Sequence, residues 1–204
     1  MADLNVLIAV SVIWAVAAIT PGPNFFITVH TAVGTSRKLS LFTVLGIVAG
    51  TLVWALSGYL GISILFKTVP MLYFSLKIIG GLYLIYVGVK LILNRKPKLK
   101  GSAGKYNSAI SCFRLGLFTN LLNPKTAAFM TSLFAATIPA NASIELGVLS
   151  VLTICLISTL WYSLVSVLFS YDAAKRVYEK QKRGIEQIAG ALFIGFGLKL
   201  ALAK

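Results

Sequence analysis

Read from its amino terminus, the chain alternates long apolar runs with short polar breaks. A membrane helix needs about 20 predominantly apolar residues, and six runs meet that length. The pattern predicts spans at about 4–33, 39–66, 70–93, 109–137, 143–170 and 185–203. Connections between them are short except at residues 94–108, "NRKPKLKGSAGKYNS", a basic stretch rich in Gly and Ser that reads as a flexible linker. The expected fold class is an all-α integral membrane protein with six transmembrane helices in a single transporter domain over residues 1–204.

Two of the runs are interrupted. The first contains "AAITPGPNFFITVH" at positions 17–30, and the fourth contains "TNLLNPKTAAF", Thr119 to Phe129. A proline inside a helix removes a backbone donor and clashes with the preceding turn, costing about 3 kcal/mol. In hydrocarbon such a defect persists only where the broken backbone faces protein, water or a ligand.

The breaks occupy corresponding places in two similar halves. "GGLYLIYVGVKLIL" from Gly80 aligns without gaps on "AGALFIGFGLKLAL" from Ala189, matching Gly81, Ile85, Gly88 and Lys90 with Gly190, Ile194, Gly197 and Lys199. Repeat 1 then covers about 1–93 and repeat 2 about 109–204, with helices 1 and 4 broken. Three spans per repeat is an odd number, so the second repeat enters the membrane from the opposite side. Inverted repeats with paired interrupted helices are a secondary-transporter architecture, with the substrate held near the midplane.

Composition agrees with the pattern. The chain is 58% hydrophobic and 12% charged, where a soluble domain carries about a quarter charged residues. The net charge of +14 does not mark a nucleic-acid binder. Its basic residues crowd between apolar runs without aromatic interleaving. Arg37 and Lys38, the linker lysines, and Lys175 to Arg183 all fall on one side under six spans, with Lys67 the main exception. The positive-inside rule makes that side cytoplasmic and puts both termini outside; a five-span arrangement would undo this assignment. The first residues lack the positive segment of a cleaved leader, so the first run is read as a span. Cys112 and Cys155 read as small buried residues. There is no Walker loop, dinucleotide fingerprint, metal-ligand spacing or nucleophile–base set, so no cofactor and no enzymatic chemistry is expected.

The breaks carry the candidate chemistry. After Pro21-Gly22-Pro23 the helix can restart with Asn24 as its N-cap. At the second break Asn123 reads as N-cap and Pro124 as the first helical residue, where the missing donor costs nothing. Two half-helix N-termini present N–H groups and partial positive charge, a setting for a carboxylate. The half-helix ending near Thr20 leaves carbonyls for an ammonium group, and an amino acid carries both charges. Lys125 lies midway along its span, where a lysine is a functional candidate by default. The candidate substrate-binding set is Thr20, Pro21, Gly22, Pro23, Asn24, Asn120, Asn123, Pro124 and Lys125. The competing reading is a pair of proline kinks that only shape packing. His30, the single histidine, reads as a packing or interface residue, and Glu145, Asp172 and Glu186 as solvated or loop-paired carboxylates. Gly46 with Gly50, and Ala191 with Gly195, are small-residue pairs suited to close helix packing. Trp14, Trp54 and Trp161 read equally as interface anchors or pocket walls.

At these residues the sequence resembles the lysine-exporter superfamily. "ITPGPNFF", "GLYLIYVG", "GLFTNLLNPKTAAF" and "GALFIGFGLKL" carry the likeness over nearly the whole chain, and its homoserine/threonine-resistance branch, threonine exporters above all, is the most similar. The resemblance implies an inner-membrane exporter of amino acids driven by an ion gradient, with a proton as the expected ion. It points to Pro21, Gly22, Pro23, Asn24, Asn123, Pro124 and Lys125 as the site. Some relatives have an acid or glycine where Asn24 stands. Without a mid-membrane carboxylate, a neutral substrate fits better than a cationic one. The expected partners are an amino-acid substrate, a coupling ion and the lipid bilayer, with no nucleic acid; a homo-oligomer stays open. The alternatives are a gated channel or passive pore, or an exporter of leucine-type or basic amino acids.

Overall fold

The computed structural model describes residues 2–68, 108–139 and 142–171, with isolated helical positions within 78–93 and 177–198. The expected third and sixth spans and the 94–108 linker otherwise lie outside the described residues. The continuous described segments form six helices: α1 (Ala2–Ile19), α2 (Pro23–Gly34), α3 (Arg37–Thr68), α4 (Ala109–Leu121), α5 (Pro124–Thr137) and α6 (Ile144–Leu168). No strand occurs among the described residues.

Both expected breaks are present. The first apolar run divides into α1 and α2, a pair that is together long and apolar enough for one span and is bent by 55° at the break. The fourth divides into α4 and α5 across Leu122 and Asn123. Helix α3 over Arg37–Gly61 and the whole of α6 are each long and apolar enough to cross a membrane.

The unbroken helices are polar inside and greasy outside. On α6, Leu149, Leu152, Leu156, Leu160 and Leu164 are exposed while Ser150, Ser158 and Ser166 are fully buried. Lipid solvates leucine as well as another helix does, so membrane helices associate through small residues, close packing and hydrogen bonds. The Trp14 indole donates to Ser158 Oγ at 2.9 Å, tying α1 to α6. Ser40 and Ser166 share a 2.6 Å hydrogen bond between α3 and α6.

These contacts also fix directions. Trp14 meets Ser158 and, further along, the Phe25 and Phe169 rings pack edge-on at 5.6 Å, so α1 and α2 run alongside α6 in the same direction. Helix α3 runs opposite to α6, because Ser40 meets Ser166 while Tyr59 covers Gly147. Helices α3 and α4 are parallel and in backbone contact. A side chain on Gly46 would strike the Phe113 carbonyl, and one on Gly116 the Thr43 carbonyl. Gly50 lies against Asn120, so the Gly46 and Gly50 pair packs closely as expected. The second small pair behaves differently. Gly195 has no close neighbour among the described residues, whereas Gly190 and Gly88 press on one another's carbonyls.

A dry cluster that includes Val10, Ile13, Phe129, Met130, Leu133, Phe134, Val151 and Ile154 joins α1, α5 and α6. It holds the two breaks together from one side.

Candidate functional site

The first break is built by Gly22. Its backbone is extended (φ −164°, ψ −173°) and it caps α2 with Pro23 at the start of the helix, so Asn24 is not the N-cap. The cap rule that Asn24 seemed to satisfy is met one proline earlier, which releases the Asn24 side chain for other partners. At the second break Asn123 is the N-cap and Pro124 opens α5, as the sequence indicated. The Asn123 carboxamide oxygen accepts from the Lys125 N–H at 3.0 Å.

The two breaks touch, and each sends a side chain into the other. Asn24 Oδ1 accepts from Asn123 Nδ2 at 3.3 Å, and Asn24 Nδ2 reaches Thr126 Oγ1 at 3.4 Å. In the reverse direction, Lys125 crosses to the first break. Its Nζ donates to Thr20 O at 2.9 Å and Ala17 O at 3.1 Å, the carbonyls that end α1. Helix ends leave such carbonyls without helical partners and carry partial negative charge. The Phe129 ring lies 5.8 Å from Nζ, within cation–π range. Pro23 and Pro124 both occupy the first turn of their helices, so Asn24 and Lys125 stand at matching positions.

Between the breaks lies a cavity of about 20 Å³, room for about one water molecule. Thr20, Gly22, Asn24, Asn123 and Lys125 line it together with Trp14, Ala17, Ala18, Phe25, Thr126, Phe129 and Tyr162. Asn24 and Thr126 line it, and both precede the first helical hydrogen bonds of their helices, Phe26 N to Gly22 O and Ala127 N to Asn123 O. Tyr162 reaches the cavity from α6. One small chamber thus combines two half-helix N-termini, one half-helix C-terminus, two carboxamides and a cation. No group of His, Cys, Asp or Glu residues that could hold a metal occurs among the described residues.

A family model of LysE type translocators matches residues 15–204. The chain belongs to the LysE type translocator family. Threonine efflux proteins of Salmonella typhi and Escherichia coli K12 are 31% and 32% identical to it, over 98% of this chain and 100% of their own lengths. An uncharacterized membrane protein of Haemophilus influenzae is 30% identical over 89% of each chain. No solved structure matches.

Within this translocator the candidate residues separate by position. Thr20, Gly22, Asn24, Asn123 and Lys125 converge on the cavity, while Pro21, Pro23 and Pro124 shape the backbone around it. Asn120 does not reach it. Its Nδ2 donates to Ile47 O and Thr51 Oγ1, both at 2.8 Å, and fastens α4 to α3. Six lining residues escaped the sequence reading, namely Ala17, Ala18, Phe25, Thr126, Phe129 and Tyr162. Thr126 and Phe129 lie on the α5 face that starts at Lys125, a helical spacing that sequence alone could have flagged. Tyr162 carried no such signal.

Proposed function

We propose that this translocator exports a small neutral amino acid, threonine or homoserine first, across the bacterial inner membrane by proton antiport. The observation that carries the reading is the pairing of opposite helix ends in one polar chamber. The α1 carbonyls at Ala17 and Thr20 suit the α-ammonium group. The starts of α2 and α5, with the Asn24 and Asn123 carboxamides, suit the carboxylate. The full-length likeness to threonine efflux proteins supports the substrate class.

Six spans in two inverted repeats suit the helix directions. Helices α3 and α4 are parallel neighbours, so the chain has to return to its starting face between them, which is what the third span expected from the sequence at 70–93 would do. Each broken helix runs parallel to the unbroken helix of the other half, α1 with α6 and α4 with α3, as a two-fold relation requires. In this arrangement the halves rock about the paired breaks and open the chamber to each side in turn. The chamber is too small for an amino acid as it stands, so loading requires Lys125 or the half-helices to move.

The test is flux in proteoliposomes. Saturable threonine transport driven by an imposed pH gradient, with counterflow of labelled against unlabelled threonine, is the expected result. Flux that never saturates and lacks counterflow would instead mark a channel, and no flux for any neutral amino acid would end the export reading.

A further inference from the structure

The position of Lys125 carries a consequence for coupling. The carbonyls of Ala17 and Thr20 are the chamber's acceptors for an ammonium group, and an amine already sits on them. It belongs to the protein, with Nζ 2.9 Å and 3.1 Å from the two oxygens and the Phe129 ring on a further side. We infer that the protonated Lys125 side chain and the α-ammonium of the substrate are alternative occupants of this one seat, so that a proton and an amino acid exclude each other from the translocator. The inference rests on the proposed binding of an amino acid between the breaks.

Antiport needs such exclusion, because a carrier that binds both at once, or neither, leaks. In the structure the seat is filled by the protein's own Lys125 amine. For the substrate to enter, an Nζ–H bond breaks, its electron pair stays on nitrogen, and the proton passes to water in the chamber. The neutral amine then leaves the carbonyls and the incoming ammonium takes them. The chamber carries one positive charge when Lys125 is protonated and none when a zwitterion lies beside the neutral amine. One amino acid leaves for each proton that enters, and the exchange moves one net charge inward.

Other groups that face the chamber do not duplicate this. Trp14, Ala17 and Ala18 from α1, Thr20, Gly22, Asn24 and Phe25 at the first break, and Asn123, Thr126 and Phe129 at the second bring no ionisable side chain. Tyr162 from α6 is the one titratable neighbour besides Lys125 among the described lining residues.

The test is equilibrium binding of radiolabelled threonine to the purified full-length protein across a pH series, in wild type, Lys125→Gln, Lys125→Arg and Tyr162→Phe. Competition by a single proton gives wild type an apparent Kd that rises toward tenfold for each unit of falling pH. Lys125→Gln empties the seat and is expected to bind with no pH slope, while exchange in vesicles loses its response to a pH gradient. Lys125→Arg keeps a fixed cation on the carbonyls and is expected to bind weakly at every pH. Tyr162→Phe is expected to keep the wild-type slope. A Lys125→Gln variant with the wild-type slope overturns the inference. So does loss of binding in Lys125→Gln with retention in Lys125→Arg, which would make the lysine a counter-ion for the carboxylate. Wild type that binds threonine without pH dependence overturns it while leaving export standing. Wild type that binds none of a panel of neutral amino acids overturns both.

Discussion

Two asparagines three residues apart offer a sharp contrast. Asn123→Ala removes the α5 cap and the bond to Asn24, at 3.0 Å and 3.3 Å. Loss of a helix N-cap costs about 1 kcal/mol, and a net side-chain hydrogen bond contributes about 1 kcal/mol more. Because both bonds organise the chamber, that sum of about 2 kcal/mol falls on the binding-competent arrangement, a loss of about 30-fold in affinity. Asn120→Ala also removes two bonds, both at 2.8 Å, but these join α4 to α3 away from the chamber. Side-chain hydrogen bonds between membrane helices contribute about 0.6 kcal/mol each on average, so this variant is expected to melt lower and to bind threonine nearly as wild type does. The assay pairs a threonine binding isotherm with a thermal melt in the same detergent. Equal affinity losses in the two variants would refute the argument that lining the chamber, rather than general destabilisation, sets the effect.

Further substitutions probe the packing and the chamber floor. Gly46→Ala drives a methyl group into the Phe113 carbonyl, whereas Gly61 has nothing within 4 Å among the described residues. The first variant is expected to lose about 1–3 kcal/mol by overpacking, seen as a lower melting temperature, and Gly61→Ala to melt at or above wild type. At Gly22 a methyl group would lie 3.2 Å from Lys125 Cδ and 3.4 Å from Nζ, at the flexible end of a side chain. Gly22→Val is therefore expected to abolish threonine binding with little change in melting temperature; retained binding would remove Gly22 from the chamber wall. Trp14→Phe loses the 2.9 Å bond to Ser158, a cost of about 1 kcal/mol that a thermal melt would register.

Much of this was legible in the sequence because the signals were local. Proline and glycine in an apolar run announced both breaks, and Asn123-Pro124 followed the capping rule to the residue. The same rule, anchored on Pro23 as the first helical residue, yields Gly22 as the other cap. Asn24 was assigned to that role because its side chain favours caps, yet an extended glycine needs no side chain to end a turn. Asn120 stood in the candidate set but does not reach the chamber. It precedes the break by one helical turn, which carries its side chain to α3. The pairing of Lys125 with the α1 carbonyls joins residues over a hundred positions apart. Recognising the carbonyls as an ammonium seat was possible from sequence, and seeing that the chain already supplied the ammonium was not.

The most direct trial of the whole picture is proton release on binding. Threonine added to the purified translocator in weakly buffered detergent, at a pH where Lys125 holds its proton, is expected to acidify the solution by about one proton per molecule bound, and Lys125→Gln to release none. Saturating threonine binding by wild type with no proton released would contradict the picture.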